Sequence, residues 1–516
     1  MATQPAALPS TEPPPLAGGR LVLAAVMLAL ANFIIVLDMT VANVSIPHIA
    51  GGLGVSASQG TWVVTTYSVA EAICVPLTGF FVKRFGTLKA ILGSLIGFGV
   101  FSTLCGMAPS LNSLILFRLG QGFAGGPLMP LTQTMLLTVF PRDKQPAAMA
   151  IWAITTIVAP IVGPILGGWI SDTTTWRWIF FINIPVVFVC FAGIVAILRP
   201  YDGGREESVS IDKIGLAMLV VWVGALQLFL DKGQELDWFG SSFIIGCAIV
   251  AAIGCVAFVI WELGEREPIV DISVFRHRGF TASVFTMAFG FGTFFATVVI
   301  IPQWLQQSMG YTATQAGIVT GVNGVFAVLT APFIPRLMKK FDPRILVFFG
   351  LSWLGAMSVL RMFWTSDSTF WEIMLPQLIQ GMGMTAFFVP ITVISLGAVE
   401  PRETASAAGI LSFARSLAAA VGTSIYTTQW ANLTRMDQTA VAGTLNDPDS
   451  VIRKLEGMGL PPSSAIAVFG QQVQQQAVVL ATEHIFALTS VFFVIAAATI
   501  WLAPRPPKDV DTSAAH

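Results

Sequence analysis

The chain has 516 residues, of which 55% are hydrophobic and only 11% are charged, whereas about a quarter of the residues are charged in an ordinary globular domain. This composition excludes a typical soluble domain and indicates a membrane protein. A net charge of −1 provides no basic field for nucleic acid, and the five cysteines form no CxxC pair or cluster with histidine, so we expect neither a nucleic-acid partner nor a metal site.

The first 19 residues form a proline-rich segment that lacks the basic start and the cleavage pattern of a signal peptide. We predict that 1–19 is a disordered cytoplasmic tail, because its composition is too poor in large apolar side chains to form a core. A second, shorter cytoplasmic tail is predicted at 505–516.

Apolar runs of about 20 residues recur along the rest of the chain, and each is long enough to cross about 30 Å of hydrocarbon as a helix. They predict an all-α polytopic membrane protein with fourteen transmembrane helices. The predicted spans are 20–46, 60–82, 88–107, 111–134, 146–170, 178–198, 212–230, 241–262, 280–300, 314–336, 345–364, 371–394, 403–428 and 483–503.

Lysine and arginine accumulate in alternate loops, and this asymmetry sets the orientation of the spans. The loops rich in these residues are KRFGTLK, PRDK, RPYDGGREESVSIDK, REPIVDISVFRHR and RLMKKFDPR. An even number of spans puts both termini on one side, and the positive-inside rule makes that side cytoplasmic. We therefore expect a multi-pass protein with both termini in the cytoplasm.

Two segments of the chain resemble each other and predict an internal repeat. RLGQGFAGGPLMPL begins at Arg118 and QLIQGMGMTAFFVPI begins at Gln377, and PRDKQPAAMAIW and PRETASAAGIL follow them. Spans 1–6 (20–200) and spans 9–14 (279–504) would be two related six-helix bundles, with spans 7 and 8 (211–263) inserted between them. Such repeats give many transporters alternating access. The alternative is a chance likeness between two glycine-rich helices.

The predicted outer, periplasmic loop from 429 to 482 is far longer than the other outer loops and is rich in polar residues, including QQVQQQ. A loop of this length is usually functional or disordered. Its last part, from Ala465 to Leu480, is predicted to form an amphipathic helix on the surface.

Three motifs resemble those of the major facilitator superfamily and, within it, of the fourteen-helix drug:proton antiporters of the EmrB/QacA type. They are LDMTVANVSIPHIAGGLG in span 1, RLGQGFAGGPLMP in span 4 and VAPIVGPILGGWI in span 5, the last of which is similar to the antiporter motif. One departure is Lys83, four residues after Gly79, where the family pattern has an aspartate. The resemblance covers nearly the whole chain and is strongest to the inner-membrane subunit of Gram-negative tripartite pumps.

This resemblance implies proton-coupled export of hydrophobic and amphipathic drugs by alternating access across the bacterial inner membrane. It also implies a periplasmic adaptor protein and an outer-membrane channel as partners, with no cofactor beyond the proton gradient. The chain has no Walker A sequence, so no P-loop in it hydrolyses ATP. We expect a transporter rather than an enzyme. Two alternatives stay open: import or export of one specific metabolite, and a receptor or enzyme that uses the bundle as a scaffold.

Small residues in spans 4 and 5 would let a neighbouring backbone approach closely, and a proline among them would bend the helix. These residues predict a hinge or a seal between helices. They are Gly122, Gly126, Gly163, Pro164, Gly167 and Gly168. The alternative is ordinary packing of small residues, because a GxxxG spacing alone is weak evidence.

Few charged residues fall inside the spans, where each costs about 2.5 to 3.5 kcal/mol at the bilayer centre. Asp38 lies about 27 Å along span 1 and Arg118 lies about 10 Å below the outer start of span 4, so the two reach a similar depth. We predict that Asp38 carries the proton, that Arg118 is the switch that discharges it, and that Glu71 is a second proton site. The alternative is a permanent structural salt bridge.

The remaining polar residues inside the spans are candidates for the wall of a substrate cavity between the bundles. They are Asn32, Asn43, Gln121, Gln377, Gln380 and Arg415. Arg361 lies near the outer end of span 11, from where its side chain would reach the interface, so we assign it no function. Apolar and aromatic walls in such a cavity would suit small lipophilic substrates.

Overall fold

The computed structural model describes residues 16–201, 211–444, 448–458 and 461–505. Most of these residues are helical and none of them lies in a strand, which confirms the predicted all-α fold. The first helix begins at Gly18. Most of the tail predicted at 1–19 and nearly all of the tail predicted at 505–516 lie outside the described residues.

The helices follow the fourteen predicted spans in order, and we number them α1 to α14. The first seven are Gly18–Val44, Trp62–Phe85, Thr87–Gly106, Leu111–Gly125 with Leu128–Val139, Gln145–Thr173, Trp178–Tyr201 and Lys213–Lys232. The last seven are Ser242–Gly264, Arg278–Ser308, Gln315–Lys340, Pro343–Arg361, Phe370–Gly397, Thr404–Thr444 and Pro462–Thr499.

Within the described part of the chain, thirteen helices are long and apolar enough to cross a membrane. The remaining predicted span is α4, which is broken at Gly126 and Pro127. Pro127 has no backbone N–H to continue the helical ladder. Gly126 packs so tightly on α2 that a Cβ there would lie 3.0 Å from the carbonyl oxygen of Glu71.

The helices on either side of the inserted pair pack mainly with one another. In the first half, α1 packs on α4, α5 and α6, while α4 also packs on α2 and α3. In the second half, α9, α13 and α14 pack together, and α11 packs on both α12 and α14. We call these groups the first and second bundles. They meet where α13 contacts α2 and α4, and where α5 contacts α10 and α12.

The bundles touch closely at the end of the molecule that carries the termini. A Cβ at Gly79 of α2 would overlap the side chain of Ser406 at the start of α13. One at Gly409 of α13 would lie 3.0 Å from the carbonyl oxygen of Val75. The interface is therefore closed at this end.

The inserted helix α7 contacts both bundles. The ammonium group of Lys232, at its last residue, donates to Thr61 Oγ1 at 2.6 Å and pairs with Glu235 at 2.7 Å. On the other side, Ser424 of α13 donates to the carbonyl oxygen of Leu230 at 3.2 Å. At its far end, α7 is thus bonded by a charged group to Thr61, the residue before α2, and by a neutral bond to α13.

The segment 429–482, predicted as a loop, is largely helical in its described residues. α13 continues to Thr444, a short helix covers Pro448–Gly457, and α14 begins at Pro462. The helix predicted from Ala465 to Leu480 is the first part of α14 rather than a separate surface helix. The prediction of a loop rested on low hydropathy, and a polar helix outside the membrane has hydropathy as low as that of a loop. This explains why helices are found where a loop was predicted.

Candidate functional site

A buried ion pair joins α1 to α4. Arg118 Nη1 lies 2.6 Å from Asp38 Oδ2, and the two side chains are 0% and 1% exposed. Asp38 lies in the half of α1 farther from the termini, and Arg118 lies about two turns into α4. The structure brings together the two residues that the sequence places at a similar depth.

Two carboxamides complete the surroundings of the Asp38 carboxylate. Gln121 Nε2 donates to Asp38 Oδ1 at 3.0 Å, and Asn183 Nδ2 donates to the same oxygen at 2.6 Å. Arg118 also donates to Gln121 Oε1 at 2.8 Å and to the Val63 carbonyl oxygen at 3.1 Å. Gln121, predicted in a substrate cavity, therefore belongs to the ion-pair network. Both oxygens of the Asp38 carboxylate therefore accept hydrogen bonds from buried side chains.

Asn183 on α6 and Ser102 on α3 belong to this network but were missed from the sequence. Asn183 Nδ2 donates to Ser102 Oγ at 2.9 Å, and Ser102 Oγ donates to the Phe180 carbonyl oxygen at 2.8 Å. Both side chains are fully buried. An asparagine in the otherwise apolar run FFINIPVVF was the available signal, because such a group needs a polar partner inside the membrane.

Aromatic rings enclose the guanidinium of Arg118. Its Cζ lies 4.1 Å from the ring centre of Tyr67 on α2 and 5.5 Å from that of Phe180. The Tyr67 hydroxyl is buried and has no hydrogen-bond partner among the described residues. The rings strengthen the electrostatic interaction by keeping water away from the ion pair.

Glu71 lies one turn after Tyr67 on α2 and is 9% exposed. It is within electrostatic range of Asp38 and Arg118 in the first bundle and of Arg415 in the second. A titratable carboxyl group therefore lies between the ion pair and the facing bundle.

Arg415 of α13 inserts into the first bundle. Its Nη2 contacts Met129 Sδ on α4, and its Cζ lies 5.0 Å from the ring centre of Trp152 on α5. Phe291 and Phe388 of its own bundle lie 5.9 and 5.8 Å away. The side chain is 2% exposed, so it bridges the bundles rather than facing solvent.

A cleft separates α5 from α9, α10 and α12. Its lining carries no charged residue and combines apolar, aromatic and carboxamide groups. Gln380 and Asn323 belong to the lining, and Gln380 Oε1 and Asn323 Oδ1 are buried without a hydrogen-bond partner among the described residues. The aromatic and carboxamide residues of the lining are Phe291, Phe294, Phe295, Asn323, Gln377 and Gln380.

The other predicted cavity residues lie at different distances from the cleft. Asn32 donates to Thr155 at 2.8 Å and to Thr156 at 3.0 Å, and Thr156 lines the cleft. Asn32 therefore supports the wall from behind. Asn43 is exposed near the end of α1, and the cleft lining does not include it. Arg415 is not in the lining, but its guanidinium contacts the lining residue Phe291.

Most of the predicted glycine positions in α4 and α5 are sites of close approach. A Cβ at Gly163 would overlap Thr40 of α1, and one at Gly167 would lie 2.8 Å from the Val41 carbonyl oxygen. Gly122 packs on the backbone of α2, as Gly126 does. Gly168 differs, because a Cβ there would have no neighbour within 4 Å. Pro164 lines the cleft.

Arg361 does not reach the interface, contrary to the expectation from the sequence. It is 1% exposed and donates through Nη2 to Gln377 Oε1 at 2.7 Å. Trp364 and Phe486 lie within 6.0 Å of its guanidinium, and its Nε has no partner among the described residues. Neighbouring helices cover the side chain, so it supports the cleft residue Gln377 from behind.

The profile of the family described as Major Facilitator Superfamily matches residues 28–423. Among curated proteins, the chain is 41% identical to "Multidrug export protein EmrB" of Escherichia coli (strain K12) over 498 residues, which cover 96% of this chain and 97% of the relative. It is 42% identical to the protein of the same name from Haemophilus influenzae over 506 residues, covering 96% and 98%.

A third relative is "Fatty acid resistance protein FarB" of Neisseria gonorrhoeae, which is 38% identical over 503 residues and covers 96% of this chain and 98% of the relative. Among solved structures, the human organic anion transporter MFSD10 (TETRAN) superposes with a TM-score of 0.59 at 14% identity, covering 94% of this chain and 100% of that chain. At this identity, the superposition supports the fold alone.

Proposed function

This chain belongs to the Major Facilitator Superfamily, and we propose that it exports drugs and other lipophilic compounds in exchange for protons. Two relatives that match nearly the whole chain are named multidrug export proteins, which supports drug export as the function. The chain is a transporter of small molecules, and the proton gradient supplies the energy in this proposal.

The buried Asp38–Arg118 pair is the observation that carries proton coupling. A carboxylate in a poorly solvated site exchanges its proton when the position of a nearby cation changes. Arg118 also donates to Val63 on α2, so movement of α2 against α4 would shift the guanidinium. Asp38 then binds a proton as Arg118 withdraws and releases it as Arg118 returns.

The cleft is the proposed substrate site. Its phenylalanines bind apolar surface, and its unpaired carboxamide oxygens bind hydrogen-bond donors of the substrate. The uncharged lining suits lipophilic compounds, which partition into the membrane before they are bound. In the proposed cycle, substrate leaves the cleft on the side away from the termini, and a proton from that side then loads Asp38.

Glu71 is the proposed second proton site. It lies between the Asp38–Arg118 pair and Arg415 of the second bundle, so its charge acts on both. Release of a proton from Glu71 would strengthen its attraction to Arg415 across the bundle interface. Glu71 would then help to close this level of the interface.

We further propose that both termini are cytoplasmic and that the protein works in a bacterial inner membrane with a periplasmic adaptor and an outer-membrane channel. The supporting feature is the pair of helices that α13 and α14 extend beyond the apolar part of the bundle. Trp430 Nε1 donates to Thr482 Oγ1 at 2.9 Å, so the helices are joined where they leave the bundle. They offer a surface for an adaptor.

Drug susceptibility tests this proposal directly. The chain is expressed in a pump-deficient bacterium, with and without its neighbouring genes, and growth is measured against a panel of lipophilic compounds with and without a proton uncoupler. We expect resistance to several unrelated compounds that disappears with the uncoupler. Resistance to a single compound would instead favour export of one metabolite, and unchanged susceptibility with the protein in the membrane would refute drug export.

A further inference from the structure

Among the described residues that hydrogen-bond to Asp38, Asn183 differs from Gln121 because it does not also bond to Arg118. Its Nδ2 lies 2.6 Å from Asp38 Oδ1 and 2.9 Å from Ser102 Oγ. Its Oδ1 is buried without a partner among the described residues. An amide with both donors bound and its acceptor unused is unusual inside a protein, because an unpaired buried oxygen costs free energy.

Ser102 explains why the amide faces this way. A hydroxyl has one hydrogen to donate, and Ser102 gives it to the Phe180 carbonyl oxygen at 2.8 Å. Ser102 can therefore only accept from Asn183, as an ionised Asp38 also does. Two neighbouring acceptors select the orientation in which the NH₂ group of Asn183 faces both.

Protonation of Asp38 favours the opposite orientation of the Asn183 amide. A carboxyl that carries a proton on Oδ1 becomes a donor toward Asn183, and the NH₂ group then faces a hydrogen instead of a lone pair. Rotation of the amide by half a turn would present Asn183 Oδ1 to the carboxyl O–H. Ser102 could then donate to the same Asn183 oxygen only by giving up its hydrogen bond to the Phe180 carbonyl oxygen, and this loss favours the original orientation.

We propose that Asn183 is a positioning residue for proton exchange at Asp38, and that Ser102 biases its amide toward the orientation that stabilises the ionised carboxylate. The inference rests on the proposed role of Asp38 as the proton carrier. It assigns a role to Asn183, which lies outside the Asp38–Arg118 pair. The Asn183 amide stabilises the unprotonated Asp38 carboxylate and rotates when Asp38 is protonated. The Ser102 contact to Phe180 links this turn to the backbone at the start of α6.

The other charged and titratable groups that face Asp38 are few. Arg118 of α4 pairs with it, and Tyr67 and Glu71 of α2 and Cys105 of α3 lie within electrostatic range. Neither α5 from 145 to 171 nor α6 from 178 to 198 contains a charged residue. His48, just beyond α1, pairs with Asp172 at the end of α5, with 3.2 Å between them.

Infrared spectroscopy tests the inference without a substrate. The purified full chain is titrated with acid, and the carboxyl band that is absent in Asp38→Asn is assigned to protonated Asp38. In Ser102→Ala the amide loses the bias toward the ionised state, so the band should persist to a pH higher by about 0.5 to 1 unit. Asn183→Leu, which removes a donor to the carboxylate and keeps the branched shape of the side chain, should move the midpoint in the same direction.

The matched control is Ser358→Ala, because Ser358 is also fully buried but lies in α11 of the second bundle. It should leave the midpoint unchanged. Wild-type midpoints in both Ser102→Ala and Asn183→Leu would overturn the inference while leaving Asp38 as the carrier. Undiminished ΔpH-driven transport by Asp38→Asn would instead refute the carrier role, and the inference would fall with it.

Discussion

The guanidinium of Arg415 on α13 lies 5.0 Å from the ring centre of Trp152 on α5, so a cation of one bundle is held by an aromatic ring of the other. Lysine in place of this arginine keeps the charge but loses the planar stacking. The attraction between residue 415 and the Trp152 ring should weaken by about 1 to 2 kcal/mol. The population of states in which the bundles are separated at this level should therefore rise by roughly 5- to 30-fold.

Spin labels at 84 and 402, on exposed residues of α2 and of the segment before α13, would report this change. Arg415→Lys should increase the long-distance component of their distance distribution. Arg435→Lys is the matched control, because Arg435 is exposed on the same helix and bonds only its neighbour Asn432 in the described contacts. Identical distributions in the two variants would exclude a bridging role for Arg415.

Asp38→Asn should separate substrate binding from proton coupling. Asparagine keeps the size of the side chain and one oxygen, but it cannot take up or release a proton. We expect the variant to fold and to exchange substrate between equal pools in proteoliposomes, and to fail to accumulate substrate when only ΔpH is supplied. Accumulation at the wild-type level would mean that the Asp38–Arg118 pair is structural.

Two neighbouring glycines of α5 offer a matched test of close packing. Gly167→Ala places a methyl group 2.8 Å from the Val41 carbonyl oxygen, whereas Gly168→Ala meets nothing within 4 Å. The first should force α1 and α5 apart and lower transport at least several-fold, at a cost of about 1 to 3 kcal/mol. The second should be close to wild type. Equal rates in reconstituted transport would contradict close packing at Gly167.

Arg361 should contribute to stability through Gln377. Arg361→Met leaves Gln377 Oε1 without its 2.7 Å donor, which costs about 1 to 3 kcal/mol and should lower the melting temperature. The double variant with Gln377→Met removes the unpaired oxygen and should recover part of the loss. Arg336→Met, in α10, is the control, because Arg336 is exposed and its replacement should change the melting temperature less. Additive losses in the two single variants and the double variant would show that the residues act independently.

The extended helices of α13 and α14 should matter for cooperation with other proteins rather than for transport itself. Replacing 440–478 with a short Gly/Ser linker keeps Trp430 and Thr482 bonded to each other. We expect reduced resistance in whole cells and unchanged ΔpH-driven transport in proteoliposomes. Loss of transport in proteoliposomes, with normal folding, would assign these helices the role of a lid over the cleft.

The sequence predicted the features that depend on position along a helix. Hydropathy located the spans, and depth alone predicted that Asp38 and Arg118 would meet. Depth does not reveal which neighbours cover a side chain, which is why Arg361 was expected at the interface although Trp364 and Phe486 enclose it. For the same reason, Asn183 was missed, because its partners come from α1 and α3.

The prediction of a loop at 429–482 was wrong for a different reason. Low hydropathy distinguishes a membrane span from its surroundings, but it does not distinguish a polar helix from a loop. Seven of the fourteen residues of α13 after Trp430 are good helix formers and seven are not, yet the helix continues after the apolar stretch ends.

The two hydrogen bonds at the far end of α7 differ in strength, so we expect the inserted pair, α7 and α8, to move with the first bundle. Lys232 binds Thr61 with a charged hydrogen bond at 2.6 Å, while Ser424 reaches Leu230 with a neutral one at 3.2 Å, so the link to α13 gives way first. As the bundles rock, α7 and α8 would keep their distance to α2 and slide along α13. The distance between a fluorophore on α8 and another on α13 would then change during transport. Measuring this distance by energy transfer would show which conformation the transporter adopts at each step of its cycle.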